Sequence, residues 1–208
     1  MHGAYSANHP GFRLISIATW ICEFDSTAKK WYRSALRFDR VWQLFLDRQI
    51  EGDSMEIKMR RTDRAISDSE AKGILEKGEY GILSTISSDG QPYGVPMSYC
   101  YAGNVIYYHC ALKGHKLDNI RNDNRVSFCV VGKTEVLPES FATRYESAIV
   151  FGKAFELTDD EKRKGLLEIV KKYSPGFIKE GLQYIEDAFQ KVKAYKIVVE
   201  SITGKARK

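Results

Sequence analysis

Between Tyr80 and Glu156 the chain reads as short β-forming runs divided by turn residues, with helical spacing on either side. Ser67 and Glu70 form a capping-box pair that opens a helix. Ala71, Ile74 and Leu75 give its apolar face, Ile66 can staple onto Ala71, and Gly78 ends it. Tyr80–Ile86 predicts a strand, Ser88-Asp-Gly-Gln91 a hairpin turn, and Tyr93–Tyr101 a second strand in which Pro96 points to an edge or a bulge. Gly103-Asn104 turns the chain into a third strand, Val105–Cys110. A helix over His115–Asn122 follows, with Leu117 and Ile120 on one edge, then a fourth strand, Arg125–Val131. Residues 133–144, with Pro138, predict a loop before a long strand, Glu146–Glu156. Thr158 and Glu161 suggest a second capping box, opening a helix with Leu166, Leu167, Ile169 and Val170. Tyr173-Ser-Pro-Gly176 stops that helix. An amphipathic helix over Ile178–Gln190, a last strand over Tyr195–Ile202 and a basic tail, Gly204–Lys208, complete the chain. Six strands joined mostly by hairpins argue for a mainly β chain, a six-stranded antiparallel barrel with helices inserted late.

Residues 1–54 have a different texture. Trp20, Trp31 and Trp42 all lie there, and only Arg37–Arg48 has helical spacing, through Phe38, Val41, Trp42, Phe45 and Leu46. We expect an N-terminal extension, poorly ordered or not part of the native domain, followed by the domain proper from Met55 to Lys208. Leu14–Cys22 is too short to span a bilayer and lacks the flanks of a secretion signal, so the expected compartment is the cytoplasm.

Composition narrows the function classes. The 208 residues carry a net charge of +5, with basic and acidic side chains interleaved, so no nucleic-acid stripe or membrane-binding face emerges. Four cysteines without a CxxC pair argue against a disulfide scaffold and against a zinc site. The chain lacks GxGxxG, a P-loop, a G-x-S-x-G elbow and HExxH.

The chemistry concentrates in His109-Cys-Ala-Leu-Lys-Gly-His-Lys116. A strand end there runs into a Gly-led helix N-terminus that carries Lys116. Free backbone N–H groups, the positive helix end and an ammonium suit a phosphate, so a phosphorylated cofactor is the first hypothesis.

Five segments in order, Gly81-Ile-Leu-Ser-Thr85, Asp89-Gly-Gln-Pro92, Val95-Pro-Met-Ser-Tyr99, Tyr107-Tyr-His-Cys-Ala111 and Gly114-His-Lys116, resemble the pyridoxamine 5'-phosphate oxidase-like flavoproteins, nearest the nitroimidazole-resistance protein branch. The resemblance runs from about Met55 to the C-terminus. It implies an FMN-binding split barrel with the cofactor at a homodimer interface. By position, Val95, Pro96, Met97, Ser98 and Tyr99 would border the flavin ring, largely through backbone groups. His109, His115 and Lys116 would surround the phosphate, and Ser147 would approach from the partner subunit. This chain has Val95 and His115-Lys116 where the oxidases carry Arg and an Arg-Lys pair, and it lacks their C-terminal Arg- and Trp-containing substrate segment. The resemblance therefore implies an FMN-dependent reductase of small acceptors such as nitro compounds, fed by NAD(P)H, rather than vitamin B6 oxidation. A non-enzymatic flavin-binding or sensing module, or a pyridoxamine phosphate oxidase-like, deazaflavin- or haem-binding relative, is the alternative, and no side chain is singled out as catalytic.

Overall fold

A computed structural model describes residues 59–208. The expectations for residues 1–54 lie outside the described residues. Four α-helices are described: α1 (Asp68–Lys77), α2 (His115–Asn122), α3 (Asp159–Tyr173) and α4 (Ile178–Ala188). Seven strands are described, namely β1 (Gly81–Ile86), β2 (Pro92–Met97), β3 (Cys100–Ala102), β4 (Val105–Cys110), β5 (Arg125–Leu137), β6 (Ala142–Leu157) and β7 (Lys193–Arg207). They form one antiparallel sheet in the order β2-β1-β5-β6-β7-β4-β3.

The mainly β, antiparallel expectation holds, while the strand count rises from six to seven. The run Tyr93–Tyr101 divides, because the chain leaves β1 after Met97 and joins β4 only at Cys100. Pro92 and Pro96 sit on the same parity of β2, a strand at one end of the sheet. Neither has an N–H to give, so the β1–β2 ladder keeps its bonds if this parity faces away from β1.

Two boundaries move and one expected cap does not form. The loop expected over 133–144 is mostly ribbon: Thr134, Glu135, Val136 and Leu137 pair with Tyr145, Arg144, Thr143 and Ala142. Only Pro138–Ser140, a 3-10 turn, and Phe141 remain between the strands. Pro138 signalled a longer break than the alternating Thr and Val positions allow. The basic tail belongs to β7, where Gly204–Arg207 pair with Tyr145–Ala148 and Lys208 meets Glu70. Thr158 makes no side-chain cap, and Asp159 takes a φ of 46° instead. The capping box at Ser67 and Glu70 is present in both directions.

Side chains alternate through the strands, and one parity builds the core. Leu83, Phe128, Val130, Val150, Tyr108 and Ile197 are fully buried from the sheet. Ala71, Ile74 and Leu75 of α1 and Leu117 and Ile120 of α2 close over it. Burying each large side chain contributes roughly 1.5–3 kcal/mol before entropy is counted. A second cluster joins α3 and α4 to the sheet through Leu157, Leu166, Ile185 and Ala194. Among the described residues, no helix is long and apolar enough to cross a membrane.

Candidate functional site

The start of α2 is the chemical centre of the described chain. Gly114 has φ 156° and ψ 155°, a conformation open to glycine and little else. A Cβ there would meet nothing within 4 Å, so conformation rather than crowding requires the glycine. No side chain caps α2, whereas Ser67 and Glu70 cap α1. The carbonyl of Gly114 accepts from the Leu117 and Asp118 N–H groups, while the N–H groups preceding them point out of the helix end. His115 is exposed and Lys116 half-buried beside those donors. An anion fits this end: it supplies the missing cap and compensates a lysine that the helix dipole alone disfavours.

A polar set that sequence reasoning missed holds the end in place. The Ser87 hydroxyl shares a 2.9 Å hydrogen bond with His115 Nε2, and the Tyr93 ring meets the imidazole edge-on at 4.9 Å between centroids. One turn later, buried Asn119 donates from Nδ2 to Thr85 Oγ1 at 3.0 Å, and Thr85 Oγ1 donates to the Tyr93 carbonyl. The β1–β2 hairpin is thereby tied to α2 at two levels. His115 is in part a strut, with one ring nitrogen committed to Ser87.

The sequence-derived residues fall into separate places. Val95 and Met97 turn toward the core, while Pro96 and Ser98 are exposed. Tyr99 is fully buried and belongs to the framework: its hydroxyl donates to the Leu75 carbonyl at 2.6 Å, and its N–H donates to the Tyr173 hydroxyl at 2.9 Å. Burial pushes the Tyr99 phenol pKa far above its ordinary value. With its carbonyl also accepting from Tyr173, Tyr99 has little left to offer a ligand beyond one carbonyl lone pair.

His109 stands on the face of β4 opposite buried Tyr108 and Cys110. Surrounding protein bulk lowers its pKa, an effect limited by the exposure of its side chain. It pairs across the sheet with Ala194, and no hydrogen bond joins it to His115 or Lys116 among the described residues. Cys110, beneath the α2 start, has its thiol pKa raised by burial, with Lys116 pulling the other way. Ser147 lies on the outer sheet face, in register with Val131 and Lys205, and nothing described in this chain links it to Gly114–Lys116. Beside that row runs another, Ile82, Cys129, Ile149 and Thr203. Among the described residues, no three His, Cys, Asp or Glu side chains converge on a metal position.

The family model for pyridoxamine 5'-phosphate oxidase matches residues 67–206, from the cap of α1 to the end of β7. The chain belongs to that family. Its fold is the family's split barrel, seen also in a candidate 5-nitroimidazole antibiotic resistance protein from Bacteroides thetaiotaomicron. That protein is 26% identical with a TM-score of 0.60, over 68% of this chain and 86% of the other. The flavocytochrome Anf3 of Azotobacter vinelandii shares the fold at 15% identity and a TM-score of 0.60, over 75% of each chain. An uncharacterised protein of Rhizobium meliloti is 30% identical over 96 residues, which are 45% of this chain and 57% of that relative. A protein of Mycobacterium smegmatis named for binding FAD and heme also shares the fold, at 18% identity and a TM-score of 0.58, over 68% of this chain and 72% of the other.

Proposed function

We propose that this chain is an FMN-binding flavoprotein that acts as an NAD(P)H-dependent reductase of small acceptors, nitro compounds among them. The observation that carries the reading is the uncapped, Gly114-led start of α2 with Lys116 beside it. Its N–H groups and ammonium would hold the phosphate, and His115, braced by Ser87, would fix the approach. The edge backbone around Pro96 and Ser98 would border the ring. When bound, FMN supplies the redox chemistry, passing electrons from a reduced nicotinamide to the acceptor. This chain's own residues bind, orient and shield.

The reading includes a homodimer. Ile149 and Val131 are exposed on the outer sheet face, beside Ser147, and a second copy covering that face would bring Ser147 to the other copy's cofactor. The nitro acceptor rests on the similarity to the Bacteroides protein. Neighbours named for flavin together with haem share this fold, so the barrel alone does not select the cofactor and the phosphate site carries that choice.

The test is the visible spectrum of the purified full chain with FMN, followed during anaerobic addition of NADH or NADPH and then of a nitroimidazole. Bleaching by the nicotinamide and recovery with the nitro compound is the expected course. A bound flavin that neither nicotinamide reduces points to the non-enzymatic module instead.

A further inference from the structure

Where β2 gives way to β3, the backbone is held by a helix that arrives 74 residues later. The Tyr173 hydroxyl, in the last position of α3, accepts from the Tyr99 N–H at 2.9 Å. Its single hydrogen is shared between the Glu79 carbonyl at 2.5 Å and the Tyr99 carbonyl at 3.0 Å. Lys172 beside it donates to the Gly78 carbonyl at 2.7 Å and stands 3.8 Å from the centre of the Tyr99 ring. Below, the Tyr99 hydroxyl donates to Leu75. Thus the end of α3 fastens two chain segments, Gly78–Glu79 and the break at Ser98–Tyr99, at one point.

The arrangement exceeds what core packing asks. Tyr173 is 40% exposed, so its apolar contribution is modest, yet its hydroxyl serves three backbone groups. The fastened segment is continuous with Pro96 and Ser98, the exposed edge assigned to the flavin ring.

We propose that Tyr173 is a positioning residue for the isoalloxazine ring, acting through the Ser98–Tyr99 backbone. The inference rests on the FMN reading and adds to it a helix remote in sequence from the phosphate site.

Tyr173→Phe in the full chain removes only the hydroxyl. Flavin fluorescence quenching should show FMN and riboflavin losing affinity by the same factor, about three- to tenfold, the worth of one hydrogen bond. The visible absorption envelope of the bound flavin should also shift, which a fold defect alone would not produce while the circular dichroism stays native. Lys116→Ala, measured alongside, should weaken FMN and spare riboflavin. Unchanged flavin affinities and spectrum in Tyr173→Phe, with only a lower melting temperature, would overturn this proposal and leave the FMN reading standing. A parent chain that takes up neither flavin overturns both.

Discussion

Ser87 and His115 meet at 2.9 Å across a gap of 28 residues, joining the end of β1 to the first residue of α2. The aim of the α2 N-terminus is therefore set by the β1–β2 hairpin as well as by its own turn. Ser87→Ala should leave the fold intact and loosen His115. We expect FMN affinity to fall about two- to tenfold, the range for one neutral hydrogen bond, with riboflavin unaffected. Titration of both flavins by fluorescence quenching checks this, and a loss shared equally by the two ligands speaks against a phosphate at this end.

Lys116 should matter more. A charge-assisted bond to phosphate is worth roughly 1.5–3 kcal/mol, or about ten- to a hundredfold in affinity. Lys116→Ala should show that loss for FMN and little for riboflavin. Cys110→Ala, on the buried face of β4, should change neither affinity much. Equal weakening of both flavins by Lys116→Ala would make the lysine a fold support.

Two glycines near α1 should respond in opposite directions. A Cβ at Gly78 would collide with Val130 Cγ1 and approach the Tyr99 hydroxyl to 2.8 Å, so Gly78→Ala should destabilise by about 1–3 kcal/mol. At Gly73, inside α1, a Cβ meets nothing within 4 Å. Gly73→Ala should stabilise by about 0.5–1 kcal/mol through helix propensity. Urea midpoints of the two variants against the parent decide it.

The capping box gives a pH dependence. Glu70 is held down to a pKa of about 2 from an ordinary 4.5, first by the Ser67 N–H and then by Lys208. A carboxylate depressed in the folded state contributes stability that is fully present above its unfolded pKa and lost as pH falls through the folded one. The melting-temperature advantage of the parent over Glu70→Gln should therefore hold at neutral pH and close between about pH 4.5 and pH 2. An advantage independent of pH would place the effect elsewhere.

Much of this molecule was legible because local rules and tertiary structure agree. The Ser67–Glu70 box, the Gly103-Asn104 turn, β4 and α2 fall where residue type puts them. What escaped was decided by partners distant in sequence. Gly204–Arg207 looks like a solvated basic tail until β6 pairs with it. Pro138 promises a loop that Thr134–Leu137 and Ala142–Tyr145 close into ribbon. At the candidate site, Gly114 and Lys116 announce themselves by type and spacing. Ser87 and Tyr173 do not, since a serine beside a turn and a tyrosine ending a helix have many ordinary uses. Only the fold sets the first against His115 and the second against Tyr99.

Pro92 and Pro96, on one parity of an end strand, also bear on whether another strand could add there. An added strand needs N–H donors along the margin it joins, and of the three positions Pro92, Gly94 and Pro96 only the glycine has one. At the opposite margin β3 offers three residues, Cys100–Ala102. These two end strands are thus poor templates for growth by edge-to-edge stacking, the route to fibrils. The homodimer proposed above would instead use a broad face, where a contact can close on itself and stop.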